Sequence, residues 1–216
     1  MKNSTYLIIL LALGLVFVSY KWVTSATSPD DAPVQKSTIE DIMTRTSVRA
    51  YSGKEVSGEQ LDTLLRAAMA APTAGNKQPW RFVVINEKNI LKAIGENFQT
   101  MTMATDASAA VIMCGDTTAT FKGQAQAYWV QDVSAASENL LLAAHAIGLG
   151  AVWCGIYPQM DRVEQFSKML NLPSEILPMA CICIGYPAGE TTPKDKWEPE
   201  NIHYNTWDSN TSRQPE

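Results

Sequence analysis

The sequence predicts an α+β domain, and three observations carry that prediction. Short apolar runs rich in branched residues read as buried strands, segments of helical spacing lie between them, and one long helix is apolar around most of its circumference. In "STIEDIM", Glu40 stands three residues after Ser37, a capping-box pattern that predicts a short helix running toward Arg45. "SGEQLDTLLRAAMAA" repeats the device with Ser57 and Gln60; Leu61, Leu64, Leu65 and Ala68 form one apolar face, and Pro72 stops the helix. "WRFVVI" and "AAVIMCG" read as strands flanking a helix around "EKNILKAIGENF". "YWVQDVSAASENLLLAAHAIGLG" is the long helix, ending at Gly148 and Gly150. Its apolar breadth predicts a central position or a subunit contact. The strand "AVWCGI", a helix around "DRVEQFSKMLNL" and the strand "MACICIGYP" complete the core, and a polar, irregular tail follows Pro187.

The chain of 216 residues suits one domain of ordinary size, and 46% hydrophobic with 18% charged residues describe a globular protein. A net charge of -5 gives no general attraction to nucleic acid, so any anion has to be held by a local cluster. Lys2, the apolar run at 6–20 and the small-residue stretch after it read as an export segment over 1–26, either a signal peptide cut after Ala26 or an uncleaved anchor. A flexible linker over 27–36 and a folded domain over 37–216 then follow. The expected location is the periplasm, or the inner membrane facing it, with membrane contact only through an uncleaved leader. No twin-arginine pair precedes the apolar run, so a cofactor would be loaded after export.

Elimination narrows the chemistry. Cys114, Cys154, Cys181 and Cys183 lack zinc-site spacing and read as small buried hydrophobes. His145, set among alanines and leucines, reads as a satisfied core or interface histidine. There is no nucleophile elbow, metalloprotease motif, phosphate loop or dinucleotide fingerprint, so neither a catalytic side chain nor a metal site is expected. That directs attention to a bound cofactor. Two arginines four positions apart in "RTSVRAYS", the stiff amide-bearing loop "APTAGNKQPW", and Lys194 with Lys196 in "TPKDKWEPE" are the available donors. The loop reads equally as an ordinary polar connection, and the lysines as solvated surface charges.

The order "RTSVRAYS", "RAAMAAPTAGNKQPWRFVVI", "QDVSAASENLLLAAHAIGLGAVWCGIYP", "CICIGYP" and "PKDKWEPENIHYNTW" resembles the FMN-dependent nitroreductase family over nearly everything from 38 to 207. The resemblance implies a homodimer of subunits with a mixed or antiparallel sheet flanked by helices, and FMN at the subunit interface. It implies that Arg45, Thr46, Ser47 and Arg49 grip the phosphate and ribityl chain together with Lys194 and Lys196. Pro72, Thr73, Ala74, Asn76 and Gln78 would run along the flavin, with Asn76 on its pyrimidine edge. Cys154 and Gly155 would bring main-chain amides near N5, although several family members have a glutamate where Cys154 stands. The implied reaction takes hydride from NADH or NADPH through the flavin to a nitroaromatic, quinone or similar flat small-molecule acceptor. The rival reading is an exported flavin-binding module, or a flavin-remodelling or dehydrogenating enzyme of the same fold that takes no nicotinamide. Scarcity of reduced nicotinamide outside the cytoplasm lends that rival weight, but the nicotinamide-dependent oxidoreductase is the preferred reading.

Overall fold

The computed structural model describes residues 37–207; the expected export segment over 1–26 and the expected linker over 27–36 lie outside them. The compact unit opens at Thr38. Its helices are α1 (Thr38–Thr44), α2 (Gly58–Met69), α3 (Lys88–Asn97), α4 (Tyr128–Ala146) and α5 (Met160–Leu170). Its strands are β1 (Trp80–Ile85), β2 (Ala109–Asp116), β3 (Gly150–Gly155) and β4 (Ile176–Gly185). No helix among the described residues is long and apolar enough to cross a membrane.

The capping box at α2 forms in both directions: Ser57 Oγ accepts from the Gln60 amide at 3.2 Å and Gln60 Oε1 accepts from the Ser57 amide at 3.1 Å. Leu61, Leu64 and Ala68 are buried and Leu65 is half-buried, as the spacing predicts. The strands pair in the order β1-β2-β4-β3, every pair antiparallel. Among the described residues the one parallel contribution is a bridge between Ser47 and Ala151 at the outer edge of β3.

Side-chain alternation explains the two cores. Ala109, Val111 and Met113 of β2 join Ala180, Ile182 and Ile184 of β4 under α2 and α4, while Ala110, Ile112 and Cys114 join Cys181 and Cys183 under α3 and α5. Both faces of the central strands are therefore buried, which is why "AAVIMC" and "ACICIG" are continuous apolar runs and not alternating ones. The stacked rings of Phe98 and Phe166, 4.4 Å apart, close the second core. On the first, the small residues of α4 let it approach α2, and Asn139 Nδ2 donates to Ala67 O at 3.0 Å.

The structure departs from the expected outline at β4, which opens at Ile176, ahead of Met179. Its first residues pair with the end of β2 across a bulge at Met113/Cys114, and Pro178 sits there, where the ladder is already broken. The 3-10 turns at Gln99–Thr105 and Gly123–Ala127 had no signal strong enough to predict them. All four cysteines are buried and free. Burial pushes the Cys114 thiol up to about 12.

Candidate active site

The segment after α1 is held by α4. Arg45 N donates to Asp41 O at 2.9 Å and closes α1, and Arg45 Nε meets Glu138 Oε1 at 3.2 Å. Thr44 Oγ1 gives its proton to Glu40 O at 2.6 Å, so His145 Nε2, 2.9 Å away, is the donor in the second contact. Glu138 and His145 are seven residues apart, two turns of helix, and so project from one face of α4. His145 is thus the satisfied contact residue that its surroundings predict.

Beyond Arg45 the backbone is laid along β3. Val48 N donates to Ala151 O at 3.0 Å, and Val48 is buried while Ser47 and Arg49 are exposed. Extended backbone turns alternate side chains to opposite sides, so the spacing of Arg45, Ser47 and Arg49 directs all three away from the core. Tyr51 Oη lies 2.9 Å from Val48 O and 3.0 Å from Cys183 O; burial, with the neighbouring thiols, raises its pKa and keeps it a donor.

The result is a pocket of about 200 Å³ lined by Arg45, Thr46, Ser47, Arg49, Lys194 and Lys196. Four of the six carry positive charge and none is acidic, in a chain of net charge -5. Asp195, between the lysines, has its Oδ1 engaged by Trp197 N at 3.0 Å. The sequence-predicted phosphate group and the late lysines, nearly 150 residues apart in the chain, therefore meet.

Arg49 also lines a second pocket, of about 340 Å³, walled by the chain from Val152 to Gln159 together with Thr100 and Arg162. Strand β3 is one of the two outer strands of the sheet. Ala151 O faces outward to Val48, and alternation turns the backbone groups of Trp153 and Gly155 the same way; Gly155 O accepts from Arg162 Nη1 at 3.0 Å. The outward amides are consequently those of Trp153 and Gly155. Cys154 pairs with Cys181, and its side chain is buried against Met103, with 3.9 Å between the sulfurs. A hydrogen bond with Cys183 and burial raise the Cys154 pKa above the thiol range, so it is a protonated core group.

The loop at 72–78 stands apart from this convergence within one chain. Its Ala74 N donates to Asp132 Oδ1 at 2.8 Å, six residues before Glu138 and therefore about 120° around α4 from it. Gly75, Asn76 and Gln78 have positive φ angles of 56°, 53° and 49°. Gln78 Nε2 donates to Asn76 Oδ1 at 2.9 Å, and Gln78 N reaches Thr73 Oγ1 at 3.3 Å, so the two amides partly engage each other. Pro72 is exposed and Thr73 half-buried. Sequence reasoning missed Glu138 as the anchor of Arg45, and Thr100, Trp153, Tyr157 and Arg162 as pocket walls. Nothing in the linear chain links these residues to Arg45 or Arg49.

A model of the Nitroreductase family matches residues 42–131 and 98–186. A protein of Methanothermobacter thermautotrophicus named "Putative NADH dehydrogenase/NAD(P)H nitroreductase" is 41% identical over 169 residues, 78% of this chain and 87% of its own length. The crystal structure of a protein of the same description from Parabacteroides distasonis superposes with a TM-score of 0.75 at 41% identity, covering 79% of this chain and 98% of that one. An FMN-dependent nitroreductase from Clostridium difficile gives 0.70 at 26% identity, covering 78% and 99%.

Proposed function

Because the chain belongs to the nitroreductase family, we propose that it is an oxidoreductase that binds FMN and uses NAD(P)H to reduce a nitroaromatic, quinone or similar flat acceptor. The observation that carries this reading is the position of Arg49, shared by the cationic pocket and by the pocket under the free edge of β3. A ligand with a phosphate at one end and a flat ring at the other fits that pair. The donor set suits it: two guanidiniums offer fixed forks to phosphate oxygens, Ser47 and Thr46 add hydroxyls, and no carboxylate lines the small pocket to compete.

FMN, when bound, supplies the hydride-transfer chemistry. The chain's own part is to hold and orient. Arg45, fixed by Glu138, and Arg49 grip the phosphate, Lys194 and Lys196 add charge without a fork, and the Gly155 amide donates toward the ring. The Trp153 and Tyr157 side chains, with the buried β3 backbone, keep water from one side of the second pocket. The 72–78 loop hangs from a different face of α4, so in this reading it completes the site of a second copy, and the working unit is a homodimer. Exposed Ile42 and Met43 on α1 and Trp197 in the tail, 47%, 71% and 71% accessible, suit such a contact.

Rapid mixing of the purified, FMN-loaded protein with NADH or NADPH is expected to bleach the flavin absorbance within the mixing experiment. An inert flavin would instead support the binding module or the nicotinamide-independent enzyme. At micromolar concentration the loaded protein is expected to scatter light as a dimer; an FMN-loaded monomer would defeat the two-chain site.

A further inference from the structure

Resting on the reading above, we infer that Asp132 is a positioning residue for the flavin: its hydrogen bond to Ala74 N holds the 72–78 loop in the shape that presents the Asn76 and Gln78 amides to the ring. That shape is uphill. Asn76 and Gln78 both lie in the left-handed region, at φ 53° and 49°, where a side chain is disfavoured, and Gly75 precedes them at 56°. Such backbone persists only where the surroundings over-determine it, and it clusters at ligand clamps. The bonds from Asn76 N to Thr73 O and from Lys77 N to Ala74 O, both at 3.2 Å, shape a single turn without tying it to the rest of the domain.

The tie comes from α4 and the segment just before it. Phe121 lies against Gly75, so close that a Cβ there would come within 2.7 Å of Phe121 Cζ, and Lys77 Nζ stands 5.2 Å from the centre of the same ring. That contact limits the space for the turn, whereas the 2.8 Å bond to Asp132 Oδ1 is directional and fixes which way the turn faces. Asp132 is only 5% exposed, and its Oδ2 has no partner among the described residues. A buried polar atom without a partner is a net cost to folding, so packing alone would not favour an acid at this place in α4. Cost at both ends of one hydrogen bond, in the acceptor and in the backbone it holds, is the pattern a functional constraint leaves. The bond holds amides with a donor to spare: Gln78 Nε2 donates to Asn76 Oδ1 at 2.9 Å, and Asn76 Nδ2 meets no acceptor among the described residues. An amide donor on the pyrimidine edge stabilises the negative charge that the ring gains on reduction, so the flavin's potential reads the position of the loop.

Hydrogen exchange over 72–78 and the flavin potential are measured on the full chain for the parent, Asp132→Ala, Asp132→Asn and Ala74→Pro. Asparagine keeps the acceptor. Proline removes the donor, and it fits the turn because Thr73 is already extended, at φ -135° and ψ 150°. Asp132→Ala and Ala74→Pro are each expected to speed exchange of the remaining loop amides about tenfold. Each is also expected to raise the Kd of reduced FMN about tenfold more than that of oxidised FMN, a fall of about 30 mV in the two-electron midpoint potential. Asp132→Asn is expected to stay near the parent in both measurements. Combining Asp132→Ala with Ala74→Pro is expected to do no more than either change alone, since both break the same bond. Ala74→Pro leaves α4 untouched, so it decides the matter if Asp132→Ala fails to fold. Parent-like exchange or a parent-like potential in the bond-breaking variants, a loss in Asp132→Asn equal to that in Asp132→Ala, or additive losses in the double variant would each overturn the inference. If the parent binds no FMN, the proposed function falls on that result alone, while exchange in the FMN-free protein still decides whether Asp132 holds the loop.

Discussion

Arg45→Ala and Arg49→Ala are each expected to lose most of their FMN on purification, while Lys194→Ala keeps most of it. A charge-assisted guanidinium bond to phosphate contributes about 1.5–3 kcal/mol, which is roughly a 10- to 150-fold rise in Kd for each arginine. The lysine is exposed and flexible, so ordering it offsets much of its Coulomb gain. Folding should survive both arginine changes. Glu138, left behind by Arg45→Ala, is half-exposed, with a side-chain accessibility of 50%, and breaking a pair of that kind costs about 0–1 kcal/mol. Arg49 enters no ion pair among the described residues. Titration of the stripped protein with FMN, read by fluorescence quenching, separates the two effects from any loss of structure monitored by circular dichroism. Parent-like Kd values in both arginine variants would remove the phosphate assignment.

Gly150→Ala is expected to weaken FMN binding and stability together, although residue 150 touches neither pocket. A Cβ on Gly150 would lie 2.6 Å from Val48 Cγ1 and 2.7 Å from Val48 Cβ. The branched Val48 side chain is stiff at χ1 and only 8% exposed, so it has little room to turn aside. The backbone has to move, and it is the backbone that carries Ser47 and Arg49. Overpacking of this kind costs about 1–3 kcal/mol. Val48→Ala opens the space that the new methyl needs, so the double variant is expected to be more stable than the sum of the two single changes predicts, with FMN affinity partly restored. Thermal unfolding and FMN titration of the four proteins in the cycle provide the measurement. Parent-like melting and affinity for Gly150→Ala alone would show that the approach of Val48 to β3 does not position the site.

The strands and helices were legible because their signals are local. Ser57 and Gln60 are three residues apart, "WRFVVI" is one unbroken run, and the periodicity of α2 shows within a dozen residues. The extra residues at the start of β4 were hidden because Ile176 and Leu177 pair with Gly115 and Asp116, about 60 residues upstream. The site divides along the same line. The Arg45, Ser47 and Arg49 triplet is an alternation pattern within one segment, and its meeting with Lys194 and Lys196 followed from the family resemblance. Arg162 carries no such mark: an arginine in a helix is ordinary until its pocket is known. The Cys154 position was legible as backbone only, and the structure sharpens this to Gly155, because strand pairing turns the Cys154 amide toward β4.

The outer position of β3 has a further consequence, for solubility. An unpaired sheet edge is a template on which another chain can add a strand. Here the edge is partly occupied: Ser47 and Val48 cover Ala151, and Arg162 occupies Gly155 O. Between them the outward amides of Trp153 and Gly155 are the stretch that a bound ligand would screen. Loss of cofactor would therefore do more than silence the enzyme, since it would uncover a section of this edge that no described residue guards, and protein without its ligand would be the form most prone to self-associate through β3.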